Sequence, residues 1–203
     1  FEADDAIRNC EEAGLPLRAP RDRLFEAHDL KSFLEMLDWL CGTFRTREQL
    51  ATTAYKFAQR IGRSGVRYAD VIVNPTHWPH WHKNIPGMID AFDAGFAAAE
   101  QDGHPPVGLC VSLLRTQSAA EAIELVELLS AIRHNRVVAL SIDGNEAAAG
   151  RTGPRFAEAF RRAGAAGLRR TVHAGESSGP EGVRDAIELV VQVNGKLRGH
   201  ICV

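Results

Sequence analysis

Apolar positions change period repeatedly along the chain, and each change predicts an element. "FEADDAIRNCEEAGLP" opens as helix. In "DLKSFLEMLDWLCGTF", Leu30, Phe33, Leu34, Leu37 and Leu40 recur at helical spacing, with Asp29 placed as an N-cap. "TREQLATTAYKFAQRIGRSG" is a further helix that Thr46 can cap and Gly62 or Gly65 can end. In "VRYADVIVNP", Val66, Tyr68, Val71 and Val73 suit a buried strand stopped by Asn74-Pro75. "IPGMIDAFDAGFAAAEQDG" returns to helix and "PPVGLCVSLLR" to strand. "SAAEAIELVELLSAIRHN" is an amphipathic helix before the strand "RVVALSIDGNE". "TGPRFAEAFRRAGAAG", with Pro154 near its first turn and Gly167 at its end, precedes a fourth strand, "LRRTVHAGE".

Strand, helix, strand at intervals of roughly 35 residues predicts βα units and a parallel sheet, hence an α/β fold. Each strand ends in a polar cluster: Asn74 to His77, Ser112 to Arg115, Asp143 to Glu146, and His173 to Glu176. Polar groups at C-terminal strand ends are how a (β/α)8 TIM barrel builds its active site. No glycine-rich phosphate loop follows the first strand, which argues against a doubly wound sheet. About four βα units are present, so the expectation is a partial barrel spanning residues 1–188. In "LVVQVNGKLRGHICV" the period drops to two about Asn194-Gly195, which predicts a hairpin-like tail over 189–203.

Composition narrows the function classes. The 203 residues are 45% apolar and 25% charged, with a net charge of −2, ordinary for a soluble globular chain and unsuited to a general nucleic-acid or anionic-membrane binder. Cys10, Cys41, Cys110 and Cys202 are scattered without a C-x-x-C, which fits reduced thiols in a cytoplasmic protein. No run reaches the ~18 apolar residues of a membrane span, and no signal peptide is expected at the start.

"TVHAGE" with its trailing "SSGP", preceded one βα unit earlier by "IDGNE", resembles the adenosine deaminase family of metal-dependent amidohydrolases. The resemblance covers residues 1–188 and implies a TIM barrel holding one zinc that activates a water. That water attacks purine C6 and ammonia leaves. By resemblance, His173 is a zinc ligand through a neutral imidazole nitrogen, and Glu176 is the carboxylic acid that protonates purine N1. Adding hydroxide at C6 drives electron density onto N1, so a donor must stand there. Ala174 and Gly175 are small enough for a ring to lie against the backbone. Gly144 matches the glycine whose N–H contacts the purine; a plain strand-to-helix turn is the other reading. Asp143 and Ser141 depart from the family, which more often has an Ala-like residue before that glycine and an Asp two positions earlier. Leu30, Phe33, Leu34 and Leu37 match the apolar helix gating the nucleoside pocket, and they suit an ordinary helix core face equally well.

"NPTHWPHWHKN" brings His77, His80 and His82 together in sequence, but no regular element places all three on one face. An aromatic rim formed by Trp78 and Trp81 is the expectation there. The family takes two further zinc ligands from an H-x-H on its first strand. The only H-x-H here is His80-Trp81-His82, in the wrong place. His200 lies a few residues too far from His173 to match the histidine that would orient the water. The tail "VVQVNGKLRGHICV" is similar to a segment near the C-terminus of leucyl-tRNA synthetases, yet Lys196 and Arg198 make too small a basic patch for tRNA binding. The expected function is a zinc-dependent purine nucleoside aminohydrolase, incomplete and inactive as this chain alone. The alternatives are a non-catalytic truncated or fused fragment, and an amidohydrolase deaminating a different aminopurine nucleoside. Its partner would be a small purine nucleoside, with no membrane and no nucleic acid. Self-association through open sheet edges is also expected.

Overall fold

A computed structural model describes residues 1–150, 154–193 and 196–197. The chain divides into two compact units, Phe1–Val71 with Pro75–Gly108, and Ile72–Asn74 with Leu109–Val203.

The first unit is helical. It holds α1 (Ala3–Ala13), α2 (Leu30–Gly42), α3 (Arg47–Arg63) and α4 (Ile85–Gln101), and it carries the first part of β1 (Ala69–Val73). Its helix starts are written locally. The Asp29 carboxylate accepts from the Ser32 amide and the Thr46 hydroxyl from the Gln49 amide, each completed as a capping box by the return bond. α3 and α4 pack together through Leu50, Ala54 and Ala58 on one side and Phe92, Phe96 and Ala99 on the other. Asp5 is buried on α1, where Lys56 Nζ lies 2.6 Å and Arg8 Nη2 2.9 Å from its Oδ1.

Trp78 and Trp81 correct an expectation. Rather than standing as a rim over a pocket mouth, they are core residues, 4% and 6% exposed. The Trp81 indole N–H donates to the Phe44 carbonyl at 2.9 Å, and Trp78 packs against Phe1, Phe44 and Phe92 with ring centroids 5.5–6.0 Å apart. A buried tryptophan gains most from apolar burial once its single donor is matched. The carbonyl of Phe44, just beyond α2, supplies that match.

The second unit contains the rest of β1, most of β2 (Val107–Leu114), then α5 (Ala119–Ile132), β3 (Val137–Asp143), α6 (Glu146–Ala149), α7 (Ala157–Ala165), β4 (Arg169–Arg170) and α8 (Gly179–Val191). The four strands form one parallel sheet in the order β1-β2-β3-β4. β2 and β3 are buried nearly throughout, as strands covered on both faces must be. Their register sets Ser112 opposite Ser141 and Leu114 opposite Asp143, after one irregularity between Leu109 and Cys110. Sequential strands lying side by side with intervening helices make half of a (β/α)8 barrel.

Two strand boundaries move. β1 starts at Ala69 rather than Val66, and β4 is regular only over Arg169–Arg170. Backbone bonds nonetheless continue the fourth strand: the Thr171 N–H donates to Leu140 O and the His173 N–H to Ile142 O, both at 3.0 Å. Beyond α8, β5 (Gln192–Val193) pairs antiparallel with β6 (Lys196–Leu197), in the register of a two-residue hairpin. Asn194, Gly195, His200 and Cys202 lie outside the described residues. Cys10 and Cys41 are buried free thiols, and Cys110 is buried. Among the described residues, no helix is long and apolar enough to cross a membrane.

Candidate active site

The C-terminal strand ends of the second unit gather Asn74 after β1, Arg115 after β2, Asp143 and Gly144 at the end of β3, and His173 after β4. Their hydrogen bonds tie them to one another. The Asn74 amide donates to Asp143 Oδ1, and the Arg115 backbone N–H donates to Asp143 O at 2.9 Å.

Gly144 must be glycine for a reason within the chain. Its φ is +105°, and a Cβ there would sit 2.7 Å from Leu114 Cδ1. Only a residue without a side chain takes that conformation and lets the backbone pass so close.

His173 is half-buried at the end of the fourth strand. Its ring Nδ1 lies 3.1 Å from the Ile142 carbonyl oxygen. A carbonyl only accepts, so this contact calls for a proton on Nδ1, and the tautomer that supplies it leaves Nε2 as the lone-pair nitrogen. This is how a protein orients an imidazole toward a metal or a proton donor. Glu176, three residues on, is exposed.

Two buried charged side chains sit beneath this loop. Arg115 is 1% exposed; its Nε donates to Gly144 O at 3.2 Å and its Nη2 to His173 O. Glu146 is 2% exposed. Its Oε1 accepts from the Gly175 N–H at 3.3 Å, and its Oε2 from Ser177 and Ser178 at 2.9 and 3.1 Å. Arg115 Nη2 stands 3.8 Å from Glu146 Oε1. Burial works to raise the pKa of Glu146. The Ser178 side chain and the amides of Ser177, Gly175 and Ser178 together outweigh it and hold the carboxyl at about 2.

Gly144, His173 and the Glu176 loop are thus brought together, as the sequence motifs suggest. Leu30 and Leu34 are half-buried and Phe33 is 45% exposed on α2, in the first unit. His77 is paired through Nδ1 with Asp38, His82 Nδ1 lies 2.9 Å from Pro79 O, and His80 is exposed, so these three do not form a ligand set. Among the described residues, no three His, Cys, Asp or Glu side chains converge as a metal would require. A catalytic zinc needs three protein ligands and an open position. His173 fits as one ligand, and the described residues do not complete the set. Arg115 and Glu146 were visible in sequence only as members of polar clusters at strand ends. The signal that could have singled them out is an arginine directly after an apolar strand, with an acidic residue at the matching point of the next unit.

Comparison with known proteins places this geometry. The pattern of the family described as adenosine deaminase matches residues 19–194. The chain is 36% identical over 162 residues to the adenosine deaminase of Edwardsiella ictaluri (strain 93-146), covering 78% of this chain and 47% of that protein. It is 28% identical over 186 residues to the adenine deaminase of Rhizobium meliloti (strain 1021), covering 91% and 57%. Among solved structures, an amidohydrolase from Burkhoderia ambifaria with bound Zn superposes with a TM-score of 0.81 at 28% identity, covering 94% of this chain and 53% of the other. The chain spans about half the length of the curated relatives it matches. With the strand order of a half barrel, the His173–Glu176 loop at its C-terminal rim and a family pattern matched along most of its length, the chain belongs to the adenosine deaminase family.

Proposed function

We propose that this chain is part of a purine aminohydrolase of purine metabolism, carrying one side of its active site. The observation that supports this best is the loop from His173 to Glu176, fixed at the end of the fourth strand in a chain of this family.

Each residue has a role in that reading. Glu176, as a carboxylic acid, donates its proton to ring N1 as water oxygen adds at C6. The C6–N bond then breaks: one proton of the added water leaves on the amine as ammonia, and the other returns to the Glu176 carboxylate. The Gly144 backbone offers its N–H to the purine. His173 presents Nε2 as one ligand for the zinc that a relative's structure contains. Zinc in such a site polarises a bound water. Because the described residues bring one candidate ligand and not a set, we assign no metal-dependent step to this chain. The buried free thiols of Cys10 and Cys41 fit a reducing compartment such as the cytoplasm.

A second reading concerns the ring amine. Asp143, bonded by Asn74, stands where the family more often has an Ala-like residue, directly before Gly144. This departure from the family supports a different aminopurine nucleoside as the alternative substrate. The adenine deaminase among the relatives keeps that substrate class in view.

The test is ultraviolet absorbance of adenosine, adenine and other aminopurines with the purified chain and added zinc. The expected result is no turnover by the 203-residue chain. A longer protein containing it should deaminate one member of the panel and lose that activity on His173→Ala or Glu176→Gln. Robust turnover by the chain alone would overturn the incomplete-site reading. No turnover by the longer protein on any aminopurine would overturn the aminohydrolase reading.

A further inference from the structure

We propose that Arg115 and Glu146 are paired positioning residues, which hold the backbone of the 173–178 loop so that His173 and Glu176 project from fixed points. The functional half of this statement rests on the aminohydrolase reading above.

Both residues are almost wholly buried, at 1% and 2% exposure, and a buried charge survives only when it is paired and hydrogen-bonded. The hydrogen bonds go mostly to backbone groups of matching polarity. Arg115 donates to the carbonyls of Gly144 and His173. Glu146 accepts from the amides of Gly175, Ser177 and Ser178. At 3.8 Å the two charges face each other without a tight fork, so each offsets the other's burial while binding the loop.

The loop needs such support. Ala174, Gly175, Ser177 and Ser178 are small and offer little apolar surface for anchoring. The amides on both sides of Glu176 end on one carboxylate, which fixes the Glu176 Cα while leaving its side chain exposed. On the other side of Ala174, His173 is held twice, by its N–H on Ile142 O and by its carbonyl on Arg115. A proton donor and a ligand must stand within about 3 Å of their targets, so a loop free to drift would lose both together. A structural ion pair far from any chemistry would stabilise the unit as a whole; this one bonds the two segments that carry the candidate side chains.

The test is amide hydrogen exchange and 15N relaxation on the 203-residue chain, as wild type, Glu146→Gln and Arg115→Lys. Neither readout needs turnover, so a chain that deaminates nothing leaves the test intact. In Glu146→Gln, the amides of Gly175, Ser177 and Ser178 should exchange about tenfold faster or more. Order parameters over 174–178 should fall from about 0.85 toward 0.6. In Arg115→Lys, the His173–Ala174 segment should loosen in the same way. In both variants, the sheet amides of Leu113, Leu140 and Ile142 should keep their protection, which separates local release from lost stability. Unchanged protection and order in the loop of both variants would overturn the proposal. So would variants in which sheet and loop amides lose protection in step, or in which neither protein folds, because the pair would then be a folding element only.

Discussion

The ring Nδ1 of His173 and the carbonyl oxygen of Ile142 lie 3.1 Å apart, while the His173 backbone N–H donates to that same oxygen at 3.0 Å. One acceptor therefore fixes both the strand position and the ring orientation of the candidate ligand. The measurable consequence is the tautomer. Side-chain 15N shifts of neutral His173 should report a protonated Nδ1 and a bare Nε2. The opposite tautomer would remove Nε2 as the ligating nitrogen.

Acid should loosen the second unit through Glu146. Its carboxyl is held at about 2 against an ordinary 4.5, so the folded state favours the charged form. A depressed pKa contributes stability that is fully present above pH 4.5 and lost as pH falls through about 2. The difference corresponds to roughly 3 kcal/mol across that window. Glu158, lowered by hydrogen bonds from Arg161 and Arg162, titrates over the same range. The comparison is therefore between wild type and Glu146→Gln in urea titrations at pH 6, 4 and 2.5. The variant should be less stable at pH 6 and the gap should close toward pH 2.5. Parallel curves would sink the assignment.

Gly144→Ala tests how strictly the rim is built. A Cβ would sit 2.7 Å from Leu114 Cδ1 on a backbone with φ of +105°. Strain of this kind costs about 1–3 kcal/mol, and thermal denaturation should show it as a lowered midpoint. A midpoint unchanged within error would mean that the turn relaxes without cost.

Self-association is expected from the sheet itself. β1 and β4 lie at its two ends, and Asp70 and Ile72 are exposed on β1. Open edges present unpaired backbone donors and acceptors to another chain. Light scattering at micromolar concentration should give a mass above that of one chain. A monodisperse monomer of 22.2 kDa would contradict this.

Much of the fold was legible because its instructions are local. Asp29, Thr46 and Ser118 each cap the helix they precede, and all three form reciprocal boxes with the residue three positions on. The apolar runs of β2 and β3 announced buried parallel strands. Trp78 and Trp81 were misplaced because burial of a loop depends on what covers it: Phe44 and Phe92 lie far away in sequence. His173 and Glu176 stood out through a short motif, and the structure places both in the loop after the fourth strand. Glu146 was not, because the three amides it binds stand 29 to 32 residues later. No periodicity or composition signal spans that distance. Arg115 escaped notice for the same reason, since its acceptor on His173 is 58 residues away.

The loop from His173 to Ser178 is gripped by main-chain atoms, which every residue except proline possesses in the same form. Its shape is therefore uncoupled from the identity of the side chains at 174, 176 and 177. Such a scaffold lets inheritance sample new groups facing a ligand while the frame that aims them stays as it was. For an engineer, 174 and 177 are where a library would change specificity at least risk to folding, and 115, 146 and 176 are the positions to leave alone.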